Sequence, residues 1–485
     1  MLLSGKKDPM LHRFIGRKRE VQLLDELFKK NSSSLVVIRG RRRIGKSRLA
    51  QEFSKEISHY IFSGLPPTKG VSAAAQKEEF ARQLQREMKI PLPRADDWGD
   101  LFWALSAQAA TGKIVIVLDE ISWMGSKDPS FLGKLKTAWD LYFKNNPQLI
   151  LILCGSISSW IEKNILSSTG FMGRISLDIV LEELPLSECN EFWNAEQDHI
   201  SAFDKFKVLA VTGGVPRYLE EILPNQSAET NIQRLCFQKE GLLFSEFERI
   251  FSDLFSTKSI IYKKIVERLA NGPCELKDIY TALKVEKSGV ISTYMDDLVT
   301  AGFVSKDFTW QLKTSLDSKL SHYRLKDNYL RFYLKYIEPN KKKIEKQALK
   351  LPPEWQSAMG LQFENLVLNN RKAIHRILGI DPSEITNDNP FFQRKTITHS
   401  GCQIDYMIQT KYKTCYLCEI KFSAEKVTRT VIDEVQRKID SMNLPKNISI
   451  RPVLIHVNGV DESIIQSDFF SSIIDFKLIL QEGTK

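Results

Sequence analysis

The segment GRRRIGKS, residues 40–47, constrains this chain more tightly than any other stretch of its length. Its spacing, G-x-x-x-x-G-K-S, is that of a loop whose backbone N–H groups wrap a polyphosphate while the lysine reaches the terminal phosphates. The flanks decide whether the pattern is accidental. SLVVI (34–38) is a short β-branched run, as expected of a buried parallel strand. KSRLAQEFSKEI (46–57) carries apolar residues at 49, 50, 53 and 57, one face of a helix. Strand, loop, helix is the order that aims a helix N-terminus and its partial positive charge at bound phosphates. The sequence therefore predicts a nucleotide site built from Gly40, Arg41, Arg42, Arg43, Ile44, Gly45, Lys46 and Ser47.

Downstream runs supply the rest of an α/β domain over residues 14–185. FIGRKREVQLLDELF (14–28) opens an amphipathic helix, and KIVIVLDEISWM (113–124) reads as a strand ending in Asp119-Glu120. An aspartate at such a strand end, with Ser47, can orient Mg2+ and its waters, and an adjacent glutamate can polarise the attacking water; an Asp-Glu pair can also simply cap the next helix. LILILCGS (149–156) is a further strand tipped by Ser156, and Arg174 precedes the run ISLDIVL. Polar residues at the ends of parallel strands lie where open sheets bind ligands.

Together FIGRKRE, GRRRIGKS, VLDE, the Ser156 strand tip, MGRISL, LPLSECNEFW and TGGVPRYLE (212–220) resemble the archaeal-type ATPases, a branch close to the AAA+ and STAND groups of P-loop NTPases. The resemblance spans roughly residues 14–235. It implies ATP and Mg2+ as cofactors and a helical lid over 186–250. It further implies Arg217 as a nucleotide sensor, and Arg174 as a finger offered to a neighbouring subunit of a homo-oligomer. An arginine at either place can equally be a surface salt-bridge partner.

The bulk composition limits the setting. A length of 485 residues suggests about three domains. The longest aliphatic stretches, such as LILIL (149–153), fall far short of the ~18 residues of a membrane helix, and MLLSGKKDPMLHRF holds no apolar signal core. Seven scattered cysteines, an odd number, point to a reducing cytoplasm and not a disulfide framework. The net charge of +10 permits a nucleic-acid partner without requiring one.

Residues 251–337 change character. KSIIYKKIVERLA (258–270), ELKDIYTAL (275–283) and SGVISTYMDDLVTAGFV (288–304) read as three short helices, and SHYRLKDNYLRFYLKYI (321–337) as a β-rich tail. The arrangement resembles a winged helix, with a turn at Gly302 and Tyr294, Leu298 and Phe303 in its core. The third helix of such domains often reads DNA. Here it carries Asp296 and Asp297 and no arginine, which favours a structural or protein-contact role. EPNKKKIEKQALKLPPEW (338–355) reads as a basic linker flanked by prolines.

The segment 356–485 carries a second chemistry. GLQFENLVLNN (360–370) opens a helix with Glu364 among apolar residues, and residues 391–422 read as three consecutive strands. If the second hairpin turns at residue 412, facing residues have numbers that sum to 824, so Asp405 meets Glu419 and Gln403 meets Lys421. Period two puts all four on one face. Two carboxylates directly opposite repel unless a cation stands between them; magnesium could do so and stabilise charge at a scissile phosphate, while Lys421 orients or activates water. The pattern I-D405…E419-I-K421 resembles the PD-(D/E)xK restriction-endonuclease-like domain found fused to archaeal-type ATPases. Glu364 matches the glutamate of that family's first helix, whereas no proline precedes Asp405. A zinc set, His399-x2-Cys402 with Cys415-x2-Cys418, has the right ligand count. On a straight strand, however, residues 415 and 418 point to opposite faces, which favours small core cysteines.

The expected whole is α/β: a P-loop NTPase with a parallel sheet and helical lid, a winged-helix domain, and a restriction-endonuclease-like α/β domain. Its expected function is ATP hydrolysis coupled to a Mg2+-dependent nuclease-like site acting on DNA, in repair, mobile-element control or defence. The alternative is a signalling or scaffolding ATPase whose inert C-terminal domain recruits a partner.

Overall fold

Apolar runs that seldom alternate belong in a sheet covered on both faces, and five strands of the first unit form such a sheet in the computed structural model, which describes residues 13–66, 68, 70–156, 158–196, 199–255, 259–287, 289–395 and 400–482. The chain divides into two compact units between Glu182 and Glu183. In the first, β1 (Ser34–Arg39), β2 (Ser58–Ser63), β3 (Ile114–Asp119), β4 (Leu149–Gly155) and β5 (Ile175–Val180) stand in the order β2-β3-β4-β1-β5, all parallel. β4 is buried along its whole length. One face packs an aromatic cluster of Phe80, Trp98, Phe102 and Phe131, the other the helices Lys18–Lys29 and Lys46–Ser54 through Leu24, Leu27, Leu49 and Phe53. The edge strand β2 has only Phe62 fully buried and shows no apolar run from which it could be read.

The second unit opens with the short helix Leu186–Asn190, and the longer helices Ala202–Thr212, Ala228–Cys236 and Glu246–Phe255 follow, where a helical lid is expected. Three more helices follow, Ser259–Ala270, Leu276–Leu283 and Gly289–Thr300, and then an antiparallel ribbon of β6 (Val304–Trp310) and β7 (Asp317–Leu325). A single antiparallel bridge between Cys274 and Tyr323 adds a third chain segment to that ribbon. The expected β-rich tail over 321–337 stops at Leu325. Asp327 accepts the Leu330 N–H at 2.9 Å and caps a helix over Asn328–Phe332, so a local cap overrides the β preference of the aromatic residues that follow. The stretch 338–355, expected as a linker, includes the helical turns Glu338–Asn340 and Lys341–Glu345.

A mixed sheet closes the chain: β8 (Ile385–Gln393), β9 (Cys402–Thr410), β10 (Thr414–Lys421), β11 (Ser449–His456) and β12 (Ser472–Asp475) in the order β12-β11-β10-β9-β8. β8, β9 and β10 are antiparallel and β10, β11 and β12 parallel. β8 begins at Ile385, earlier than expected, because ITNDN lacks a strand's composition. A buried polar network ties the ribbon to the helix Met359–Leu368. Arg324 Nε donates to Asp307 Oδ2 at 2.9 Å, and Asn365 Nδ2 donates to Leu325 O at 2.8 Å and Asn328 Oδ1 at 2.9 Å. All seven cysteines are free thiols. No helix among the described residues is long and apolar enough to cross a membrane.

Candidate functional site

The loop after β1 takes its shape from two glycines. Gly40 has φ 150°, and a Cβ there would come 2.4 Å from the Leu181 carbonyl oxygen; Gly45 is left-handed at φ 91° and opens the helix Lys46–Ser54. Lys46 is buried inside this loop. Its Nζ donates to the carbonyls of Gly40 and Arg41, both at 3.0 Å, and to Ser156 Oγ at 2.8 Å. Burial lowers the pKa of the ammonium. Next in sequence, Ser47 Oγ donates to Asp119 Oδ2 at 2.6 Å. Ser156 in turn donates to Glu120, Oγ to Oε1 at 2.7 Å and backbone N–H to Oε2 at 3.2 Å. The sheet order explains this convergence. β4 lies between β1 and β3, so its tip, Ser156, falls between the lysine that follows β1 and the glutamate that follows β3.

Of the loop arginines, Arg41 is buried and Arg42 and Arg43 are half-buried. Arg17, which carries no expected role, supports the loop from below: its guanidinium donates to Ile44 O at 3.0 Å and to Glu182 O at 2.6 Å, and only 4% of the residue is exposed. These two carbonyls lie 27 and 165 residues away, contacts that no sequence periodicity reports, although Arg17 also pairs locally with Glu20 at 3.7 Å. Arg174 forms a two-pronged fork with Asp140, Nε to Oδ1 at 2.8 Å and a terminal nitrogen to Oδ2 at 2.9 Å. That fork, with Lys136 at 2.8 Å, holds the Asp140 carboxyl far below the usual carboxylate range. Arg217 belongs to the second unit, where it pairs with Glu221 at 2.7 Å and Glu220 at 3.4 Å.

The β9–β10 hairpin holds the second constellation. Its register runs from Cys415 opposite Gln409 to Cys418 opposite Tyr406, the expected sum of 824 at every rung. The paired rungs end there, one step short of Asp405 and Glu419, and a side chain takes over from the ladder: Asp405 Oδ2 accepts the Ile420 N–H at 3.0 Å. Glu364, Asp405 and Glu419 all titrate high. Burial pushes Glu364 and Glu419 each up to about 7, with the Asp405 charge adding to both, and burial also raises Asp405. A cation does stand beside this pair, and it belongs to the chain. Lys438 Nζ donates to Glu419 Oε2 at 2.5 Å and lies 3.8 Å from Asp405 Oδ1. Lys421 turns to Glu434 Oε2 at 2.5 Å, one turn earlier on the same helix, Thr430–Ser441. Lys438 and Glu434 carry no motif signal; only their i, i+4 spacing on one helical face hints at a shared target.

Among the described residues no three His, Cys, Asp or Glu side chains form a ready-made metal cluster. The zinc set fares no better. His399 lies outside the described residues, and burial raises the thiols of Cys402 and Cys415 to about 11 and about 12, away from thiolate ligands.

Residues 14–222 match a family model described as an ATPase domain predominantly from Archaea. An uncharacterised protein of Methanocaldococcus jannaschii is 26% identical over 363 residues, covering 73% of this chain and 76% of that protein. An uncharacterised ATP-binding protein of the same organism is 38% identical over 40 residues, 8% of this chain and 68% of its own. The Walker-type ATPase of Pyrococcus abyssi shares the fold at 18% identity, with a TM-score of 0.52 covering 66% of this chain and 96% of that one. Over residues 14–222 the chain therefore carries an ATPase domain of the kind found predominantly in Archaea.

Proposed function

We propose that this ATPase couples ATP turnover at residues 40–47 to a magnesium-dependent, nuclease-like site at Asp405, Glu419 and Lys421 that acts on DNA. In the first site Lys46 neutralises the β- and γ-phosphates, Ser47 and Asp119 hold Mg2+, and Glu120 polarises the attacking water under the control of Ser156. Arg217 senses the nucleotide, and Arg174 completes the site of a neighbouring copy in a homo-oligomer. The helices 259–300 with the β6–β7 ribbon are read as a winged helix.

The observation that supports the nuclease reading is the hairpin register: its paired rungs end at Cys418 opposite Tyr406, just before Asp405 and Glu419, and burial raises the pKa of both carboxyls. That donor set suits a hard divalent ion. When bound, magnesium supplies charge at the scissile phosphate; Lys421 orients the water, and Glu364 adds a further oxygen donor. One observation favours the second reading, an inert domain that recruits a partner. Lys438 already pairs with Glu419, and Lys421 with Glu434, so the site can neutralise itself.

Incubating the full-length chain with plasmid DNA and Mg2+, with and without ATP, tests the proposal. Cleavage that is lost in Asp405→Asn and modulated in Lys46→Ala is expected. Intact plasmid throughout leaves the recruiting ATPase.

A further inference from the structure

The second unit contains a cleft of about 1030 Å3 between the β6–β7 ribbon, the end of β8 and the loop 443–447. Its walls are fixed. Thr309 Oγ1 donates to Phe392 O at 3.1 Å and accepts the Phe392 N–H at 3.2 Å, which locks the ribbon onto β8. Trp310 Nε1 donates to Gln409 Oε1 at 2.5 Å, and Gln409 Nε2 donates to Leu312 O at 3.0 Å. On the other side Gln393 bonds to Ser441 O at 2.8 Å and accepts the Asn443 N–H at 2.9 Å.

The lining is charged with one sign. It includes Lys313, Lys319, Arg394, Lys413 and Lys446, all exposed, and no aspartate or glutamate. Arg394 is paired outside the lining, with Glu275 at 2.5 Å. The four lysines make no ion pair with a described residue. They come from three separate segments, the ribbon, the β9–β10 turn and the loop after the helix Thr430–Ser441, so the fold gathers like charges at a cost in repulsion. The aromatic residues of the cleft offer little for a base to stack on: Trp310, Phe391 and Phe392 are 3%, 4% and 6% exposed. Recognition here is by charge.

We propose that this cleft binds the phosphodiester backbone of a nucleic acid, without reading its sequence. Cations spread along a concave wall match a chain of evenly spaced anions better than a single phosphate group. The cleft also adjoins the nuclease-like hairpin: Phe391 pairs with Ile404, the neighbour of Asp405. The inference goes beyond the cleavage chemistry and does not depend on it, because binding requires neither metal nor ATP.

Fluorescence anisotropy of the full-length chain with labelled duplex and single-stranded DNA and RNA, in EDTA and over a salt series, tests it. On duplex DNA, four phosphate contacts predict a log–log salt slope of about −4. Lys313→Glu with Lys446→Glu should weaken binding at least about tenfold and make the slope shallower by about two, and Lys319→Gln by about one. Lys342→Glu with Lys343→Glu, which changes net charge equally outside the cleft, should leave affinity within about twofold. Melting curves matching the parent establish that each variant is folded. The relative affinities of the four ligands name the preferred nucleic acid. No binding by the parent, equal weakening by both double variants, or competition by polyglutamate as strong as by unlabelled DNA overturns the inference. A chain that binds but does not cut loses only the nuclease reading, and one that cuts with the cleft variants unchanged loses only this one.

Discussion

Lys46 Nζ donates to Ser156 Oγ at 2.8 Å, across 110 residues of sequence, and the same hydroxyl donates to Glu120. Ser156 thus links the group that meets phosphate to the group assigned to water. Ser156→Ala should leave nucleotide affinity nearly unchanged, because the ammonium keeps its charge and two loop carbonyls. It removes one hydrogen bond to a carboxylate, about 1.5–3 kcal/mol, so kcat should fall about tenfold or more. Ser156→Thr should restore most of it. An unchanged kcat in Ser156→Ala would detach Ser156 from the reaction.

The two ends of that link should fail differently. Lys46→Ala removes a point charge that no neutral side chain replaces, so equilibrium binding of a fluorescent ATP analogue should be lost together with turnover. Glu120→Gln keeps the shape and loses the base, which should lower turnover by about 10²–10⁴-fold while ATP stays bound. Wild-type turnover in Glu120→Gln would move the water-activating role elsewhere.

The parts of the chain legible in sequence are those whose physics is local. The loop, the Asp119-Glu120 strand end and the 824 register follow from glycine conformations, apolar runs and period two, and each has its counterpart in the structure. Arg17, the Lys438–Glu419 pair and the basic cleft rest on contacts between residues far apart in the chain, which no periodicity reports. The tail after Leu325 departs from the strand expected of it because its aromatic residues favour strands on average, while a single aspartate cap decides the outcome.

Arg174 and Asp140 give a direct test of assembly. Their fork lies at the surface, where solvent screens it, and should contribute little to stability. If Arg174 serves a neighbour's nucleotide, Asp140→Ala should release it, and ATPase activity per chain should rise more steeply with protein concentration than in the parent. Arg174→Ala should bind ATP normally and hydrolyse it poorly. If the pair is only structural, both variants should show parent turnover at every concentration and the same small drop in melting temperature.

The raised carboxyls fix the sign of a pH effect. Glu364 and Glu419 titrate near 7 in the fold against an ordinary 4.5, so the native state favours their protonated forms. Their contribution to stability is fully present below about pH 4.5 and is lost as the pH rises through about 7. Metal-free denaturation of the full chain should therefore show stability falling across that window, and Glu364→Gln should flatten the decline. Asp307 acts in the opposite direction: burial opposes its charge, but Arg324 and Arg371 outweigh it, and its contribution is lost as the pH falls below the ordinary carboxylate range. A flat profile between pH 4.5 and 7 would mean that the acids are not held as the structure shows them.

Lys438 decides between a working metal site and a self-neutralised one. Burial opposes its charge, yet Asp405 and Glu419 outweigh that penalty and raise its pKa, so the ammonium and a divalent ion would compete for the same carboxylates. Replacing it by glutamine removes the built-in cation. If Asp405 and Glu419 bind metal, Lys438→Gln should lose metal-free stability, because a part-buried carboxylate pair loses its cation. It should also bind Mg2+ or Mn2+ more tightly than the parent and regain its stability when the ion is added. Asp405→Asn should lose metal binding, and Lys421→Ala should retain it while cleaving nothing. Calorimetric titration of the full chain without nucleotide, on the parent and the three variants, reads the metal binding, melting curves with and without the ion read the stability, and plasmid cleavage reads the activity. If neither the parent nor Lys438→Gln gives binding heat, and Asp405→Asn melts higher than the parent because repulsion with Glu419 is relieved, the lysine is a permanent partner of these acids and the hairpin is not a metal site.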